Sequence, residues 1–143
     1  MYDALLVATD GSEAADEAVE HAVGLAADLE ARVYGVAVVD SRTEYDNAIV
    51  DPETAEERRR ERASTWLETI EERAEAAGVA VETAIRAGVP HEEVLAYADE
   101  RDVDAVVVGS RGRSSFKGSL LGSTVDRLVR TADRPVLVVD APA

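Results

Sequence analysis

Five short apolar runs, separated by stretches of helical periodicity, constrain this chain more than anything else in it. The runs are Ala4 to Thr9, Arg32 to Val39, Val79 to Ile85, Asp104 to Val108 and Pro135 to Asp140, and most are rich in valine. Strands that are apolar without strict alternation are buried on both faces, which calls for a parallel sheet covered by helices. The intervening segments agree. Residues 13–30 place Ala15, Ala18, Val19, Ala22, Ala26 and Leu29 on one helical face. Residues 53–77 carry a stripe of Ala63, Trp66, Leu67, Ile70, Ala74 and Ala77, and Gly78 follows where a glycine ends a helix. Pro90 to Arg101 and residues 123–132 read as two shorter helices. The expected fold is a single α/β domain over residues 1–143, an open doubly wound five-stranded parallel sheet with helices on both faces.

Composition removes several classes of function. The chain has no cysteine, so disulfides, thiolate catalysis and cysteine metal sites are excluded. No apolar run approaches the ~18–20 residues that span a bilayer. The start, Met1 to Val7, lacks a basic segment and a signal-like cleavage region, so a cytoplasmic protein is expected. Thirty acids face fifteen bases, a net charge of −15. Such a surface repels nucleic acid and anionic membrane, and neither is expected as a partner. Lys117 is the only lysine among those bases. Acid excess of this kind resembles that of proteins from salt-accumulating microbes, where self-repulsion is screened within ~3 Å in 1 M salt. The thermal midpoint is therefore expected to rise from low to molar KCl, and a midpoint that fails to rise would reject salt adaptation.

One stretch runs against the acidic background. From Gly109 to Arg134 the bases Arg111, Arg113, Lys117, Arg127, Arg130 and Arg134 outnumber the acids Asp126 and Asp133. The stretch is a net +4, and the remainder of the chain carries −19. It also holds a glycine frame: Gly109-Ser-Arg-Gly112, nine residues, then Gly122-Ser123-Thr124. A strand-like run leads into the frame and a helical run leaves it. A phosphate cradle needs that order, because small residues let the backbone approach an anion and a helix N-terminus offers free N–H groups. Gly112 and Gly122 are expected where a side chain would block phosphate or where φ is positive. Ser123 reads equally as the N-cap of the last helix, with Asp126 three residues on as in a capping box. Ligands in open parallel sheets collect beyond the carboxyl ends of strands, so Asp10 and Gly109 would face one crevice if the first and fourth strands are neighbours. Asp10 reads alternatively as an acid of the first turn of helix one.

The frame Gly109-x2-Gly112-x9-Gly122-Ser123, with Asp10 closing the first strand, resembles the ATP-binding branch of the universal stress protein family. The resemblance runs from Leu5-Leu-Val-Ala-Thr-Asp-Gly-Ser12 to Arg134-Pro-Val-Leu-Val-Val139. Family members without the frame are usually taken not to bind nucleotide, and every element of it is present here. The resemblance implies an adenine nucleotide alpha hydrolase-like sheet of flavodoxin-like order 3-2-1-4-5. It implies that Ala8, Thr9 and Asp10 line the adenosine, with Asp10 near ribose or metal, and that Val38 contacts the adenine. Val108 and Gly109 would pass beneath the nucleoside, and Arg111 and Gly112 would border the phosphates. Gly122, Ser123 and Thr124 would donate to the phosphates, with Mg or Mn as the accompanying ion. It also implies a homodimer through the last strand, Pro135 to Asp140.

Other features are weaker. Residues 41–52 form a long irregular polar stretch of the kind that serves as a lid. The run Glu56 to Arg62 reads as a solvated helix start with spaced pairs such as Glu56–Arg60. His21 and His91 read as surface residues, with no second ligand at metal spacing. Trp66 and Tyr97 read as helix packing. The stretch Gly112 to Ser119 is superficially like a phosphate loop, but its lysine precedes the glycine. A phospho-receiver domain is excluded, since Asp10 has no acidic partner and no phospho-accepting Asp ends the third strand. Three functions remain open at this point. They are an ATP-binding regulatory module, a slow ATPase or autokinase that uses Ser110, Ser114, Ser115, Ser119 or Ser123 as acceptor, and a nucleotide-free dimeric interaction protein.

Overall fold

The computed structural model describes residues 1–40, 51–112 and 121–141. Along them strands and helices alternate: β1 (Ala4–Ala8), α1 (Glu13–Leu29), β2 (Arg32–Val39), α2 (Pro52–Ala76), β3 (Val81–Ala87), α3 (Pro90–Arg101), β4 (Ala105–Gly109), α4 (Ser123–Thr131) and β5 (Val136–Val139). All pairings are parallel, in the order β3-β2-β1-β4-β5. The expected architecture and strand order are therefore both observed. The chain steps outward from β1 through β2 to β3, then returns to the other side of β1 for β4. That reversal opens a crevice at the carboxyl ends of β1 and β4.

Successive strand residues point to opposite faces, so each strand serves two cores. Leu5, Val7, Val33, Ala37 and Val107 pack with Ala18 and Ala22 of α1 and with Leu67 and Ile70 of α2. Leu6, Val36, Val106 and Val108 pack with Val94 and Tyr97 of α3 and with Val125 and Leu128 of α4. Leu5, Leu6, Val106 and Val107 are no more than 1% exposed. Each such side chain contributes about 1.5–3 kcal/mol relative to an exposed position. The valine runs are explained by this two-sided burial.

Helix ends account for the shifts from the expected boundaries. At the end of α2 the Val79 N–H donates to Ala74 O at 2.8 Å and the Gly78 N–H to Glu75 O at 3.1 Å, with Gly78 at φ +71. This six-to-one and five-to-two pairing makes Val79 the apolar plug of a helix cap. β3 accordingly begins at Val81, and Ala77 is exposed as the cap residue. α1 and α3 end on left-handed Glu30 (φ 56) and Asp102 (φ 51), positions without a glycine to announce them. Leu29, expected on the buried face of α1, is 43% exposed. α2 starts from Asp51, whose carboxylate accepts the Thr54 N–H and the Thr54 hydroxyl, both at 2.9 Å. The suggested lid lies outside the described residues except for Asp51 and Pro52. Arg60 and Glu56 form the expected spaced pair, long at 3.8 Å and half exposed.

Candidate functional site

β1 and β4 are neighbours, with Val7 opposite Val107, so their carboxyl ends open into one crevice. Ala8, Val38 and Val108 all lie on the α3/α4 face of the sheet at that end. Beyond β1 the backbone turns sharply. Thr9 is buried, its N–H donates to Val36 O at 2.9 Å, and its Oγ1 accepts the Gly11 N–H at 3.2 Å. Asp10 Oδ1 accepts the Ser12 N–H at 3.0 Å. Gly11 has φ +78, and a β-carbon there would stand 2.3 Å from Trp66 Nε1. Backbone conformation and space both require glycine at this point. Ser12 then caps α1, accepting the Ala15 N–H at 3.1 Å, while its hydroxyl donates to Arg111 O at 3.3 Å.

The members of the glycine frame do different things. A β-carbon on Gly109 would lie 2.5 Å from Ala14 C and 2.7 Å from Ala14 O and Ala15 N, so this glycine lets the start of α1 lie directly on β4. A β-carbon on Gly112 would lie 2.5 Å from Asp10 Oδ2, so here the constraint is contact with the strand-one carboxylate. Positive φ is not the reason for Gly112 or Gly122, since neither is among the positive-φ residues. Gly122 is buried, with φ −70 and ψ 160, and it is the N-cap of α4. Ser123 is thus the first helical residue rather than the cap, and the expected capping box is not formed. Asp126 instead pairs with Arg130 at 3.0 Å. The cap makes no side-chain hydrogen bond. The first intrahelical bond runs from the Asp126 N–H to Gly122 O, which leaves the N–H groups of Ser123, Thr124 and Val125 without intrahelical partners. Gly122 itself does not offer its N–H to the crevice, because that group donates to Ser110 O at 2.9 Å.

Electrostatics narrows the expected basic patch. Arg134 sits under α3, where its guanidinium donates to Ala98 O at 3.0 Å and Val103 O at 2.8 Å and pairs with Asp99. Arg130 is held by Asp126, and Arg113 and Lys117 lie outside the described residues. Arg111 is the described base that stands within the frame, half-buried next to Gly112. The charge reading was too broad because long arginine side chains reach partners that only the tertiary fold defines. A separate open groove on the α1/α2 flank is lined by Glu13, Asp16, Glu17, Glu20 and Arg73, a charge balance unsuited to phosphate. Among the described residues no group of three His, Asp or Glu side chains is placed to hold a metal ion.

Three contributors were not anticipated in these roles. Ser12 bridges the β1 turn to the frame, and the only sequence signal for it is its place just before a helical repeat. Ser110 is buried, and its hydroxyl donates to Asp140 Oδ1 at 2.6 Å, so it is engaged rather than available as a phosphate acceptor. That hydroxyl, then the Ala141 N–H and the Arg111 charge, hold the Asp140 carboxyl below its usual range. The carboxylate form of the bond stands above the ordinary carboxylate pKa and is lost as pH falls through the lowered value. Ser114, Ser115 and Ser119 lie outside the described residues.

Comparison with known proteins places the chain. The sequence profile of the universal stress protein family matches residues 1–140. The universal stress protein MJ0531 of Methanocaldococcus jannaschii is 33% identical over 143 residues, covering 99% of this chain and 84% of that protein. The solved structure of MJ0577, a protein for which function was assigned from structure, superimposes with a TM-score of 0.83 at 30% identity. It spans 100% of this chain and 99% of its own. A universal stress protein crystallised in complex with cAMP gives a TM-score of 0.72 at 29% identity, with 97% of each chain covered. The chain belongs to the universal stress protein family.

Proposed function

We propose that this chain is an ATP-binding regulatory module of the stress response, with the nucleotide at the carboxyl ends of β1, β2 and β4. The observation that carries the reading is the start of α4. It begins on a buried glycine with no side-chain cap, and it presents the N–H groups of Ser123, Thr124 and Val125. Open N–H groups and the positive end of the helix dipole suit a phosphate. In this reading Ala8, Thr9, Asp10 and Val38 border the adenosine, and Val108 and Gly109 form the floor. Arg111 and Gly112 stand beside the phosphates, Gly122 leaves them room, and Ser123 and Thr124 donate to them. The neighbour solved with cAMP supports an adenine nucleotide as the class of ligand. Mg or Mn would enter with the phosphates, because such ions commonly take one or two carboxylates together with phosphate oxygens. In this reading Asp10 is the acid that would share such an ion.

Binding is favoured over turnover. Asp10 is engaged by Ser12 and lies against Gly112, an arrangement that positions two loops rather than frees a general base. The purified protein, once denatured, should release ATP that elutes as such from an anion-exchange column. Release of ADP or AMP would favour a slow ATPase or autokinase, and a nucleotide-free column trace would favour an interaction protein.

The same reading makes β5 the contact with a second copy. β5 is an edge strand, and Leu137 on it is 40% exposed. An apolar edge invites pairing. Light scattering in molar KCl should report twice the 15.3 kDa chain mass, and the mass of a single chain would reject the dimer. The acid surplus is read as adaptation to salt. The chain is taken as cytoplasmic, and none of its described helices is long and apolar enough to cross a membrane.

A further inference from the structure

We infer that Ser110 and Asp140 are a positioning pair that sets the anion affinity of α4 without touching the nucleotide, by fixing the peptide to which Gly122 is tied. Ser110 is 5% exposed, and each of its polar groups is engaged by a different part of the fold. Its N–H donates to Val139 O at 2.8 Å, at the end of β5. Its hydroxyl donates to Asp140 Oδ1 at 2.6 Å, just past β5. Its carbonyl accepts the Gly122 N–H at 2.9 Å, at the cap of α4. Asp140 Oδ1 also accepts the Ala141 N–H at 3.1 Å, which orients the carboxylate toward Ser110. One buried residue therefore joins the exit of β4, the end of β5 and the first residue of the helix start. The N-cap of α4 has no side chain of its own to hold it, so its registration rests on backbone bonds, and this is the one that leaves the helix. Of the three, the bond to Asp140 is the charge-assisted one, and such bonds are shorter and stronger than neutral ones.

The sign of one substitution separates positioning from simple electrostatics. Asp140 carries negative charge near Arg111. On charge alone, Asp140→Ala removes a group that repels phosphate and competes for Arg111, so ATP should bind more tightly. Positioning predicts the opposite. Asp140 is exposed, so its alanine variant should fold, and Ser110→Ala removes the same bond from the other side.

The affinity readout rests on the ATP reading above, and a second readout does not. Titration of ATP and adenosine into wild type, Ser110→Ala, Asp140→Ala and the double variant should show ATP weakened about tenfold in each single variant. Adenosine should change less than about twofold, and the double variant should be no worse than either single, because one bond has been removed twice. Tighter ATP binding in Asp140→Ala, additive losses, or equal losses for adenosine would overturn the pair. Hydrogen exchange at the Gly122 amide in the nucleotide-free protein supplies the second readout. Exchange should quicken about tenfold in both single variants, and an unchanged rate overturns the inference whether or not ATP binds. Quickened exchange in a protein that does not bind ATP would leave the positioning pair standing and reject the nucleotide reading alone.

Discussion

Gly122→Val is expected to weaken ATP binding about a hundredfold while moving the thermal midpoint by only a few degrees. Gly122 has φ −70 and ψ 160, a conformation open to any residue, so valine brings no backbone strain. Its N–H still reaches Ser110 O, and the first bond of α4, from the Asp126 N–H to Gly122 O, is untouched. What changes is space. Valine adds three carbons at the cap itself, next to Ser123, Thr124 and Val125, whose N–H groups have no intrahelical partner. A phosphate pushed outward there loses its charge-assisted bonds, and a hundredfold loss equals about 2.7 kcal/mol, on the order of one or two such bonds. Adenosine, which has no phosphate to displace, should lose far less. Calorimetric titration of both ligands reads the difference. Unchanged ATP affinity would mean that phosphate does not approach α4 at its cap.

Gly109→Ala should act on the fold instead. The added carbon would press into Ala14 C, Ala14 O and Ala15 N at 2.5–2.7 Å, all of them main-chain atoms that no rotamer change can clear. Relief requires α1 to lift from β4. That helix buries Ala14, Ala15, Ala18, Val19, Ala22, Val23 and Ala26, so displacement opens a long seam of the core. Overpacking of a rigid contact costs typically about 1–3 kcal/mol, and this one should lie at or above the top of that range. For a domain of this size the thermal midpoint should fall by about 10 °C. A midpoint within a degree or two of wild type would show that α1 has room to move. The two glycines belong to one motif and are expected to fail in different ways, one through ligand affinity and the other through stability.

Much of the fold was legible because two-sided burial writes itself into sequence. The valine runs and the alanine-rich face of α1 have no other economical explanation, and the strand order implied by the family resemblance is the order seen. Val79 was misassigned to a strand for a local reason: an apolar residue after a glycine cap looks like a strand start. The ends at Glu30 and Asp102 were obscure because left-handed caps usually fall on glycine. In the candidate site, the meeting of Asp10 with the frame could be anticipated from strand ends alone, and Gly112 against Asp10 Oδ2 is its structural form. The cap of α4 was misplaced by one residue because the bond that fixes it comes from Ser110, twelve residues earlier. Arg130 and Arg134 were counted toward the crevice because sequence distance says little about where a guanidinium ends up. Asp140 carried no signal at all, since its partner is defined only once β5 lies beside β4.

The most direct test is a calorimetric titration of the wild-type chain with ATP and magnesium in molar KCl, beside an identical titration with adenosine. Saturable binding of one ATP per chain is expected, tighter than adenosine because the start of α4 and Arg111 would engage the phosphates. ATP binding no tighter than adenosine, or no binding of ATP up to about 1 mM, a standard free energy of only about −4 kcal/mol, would contradict it.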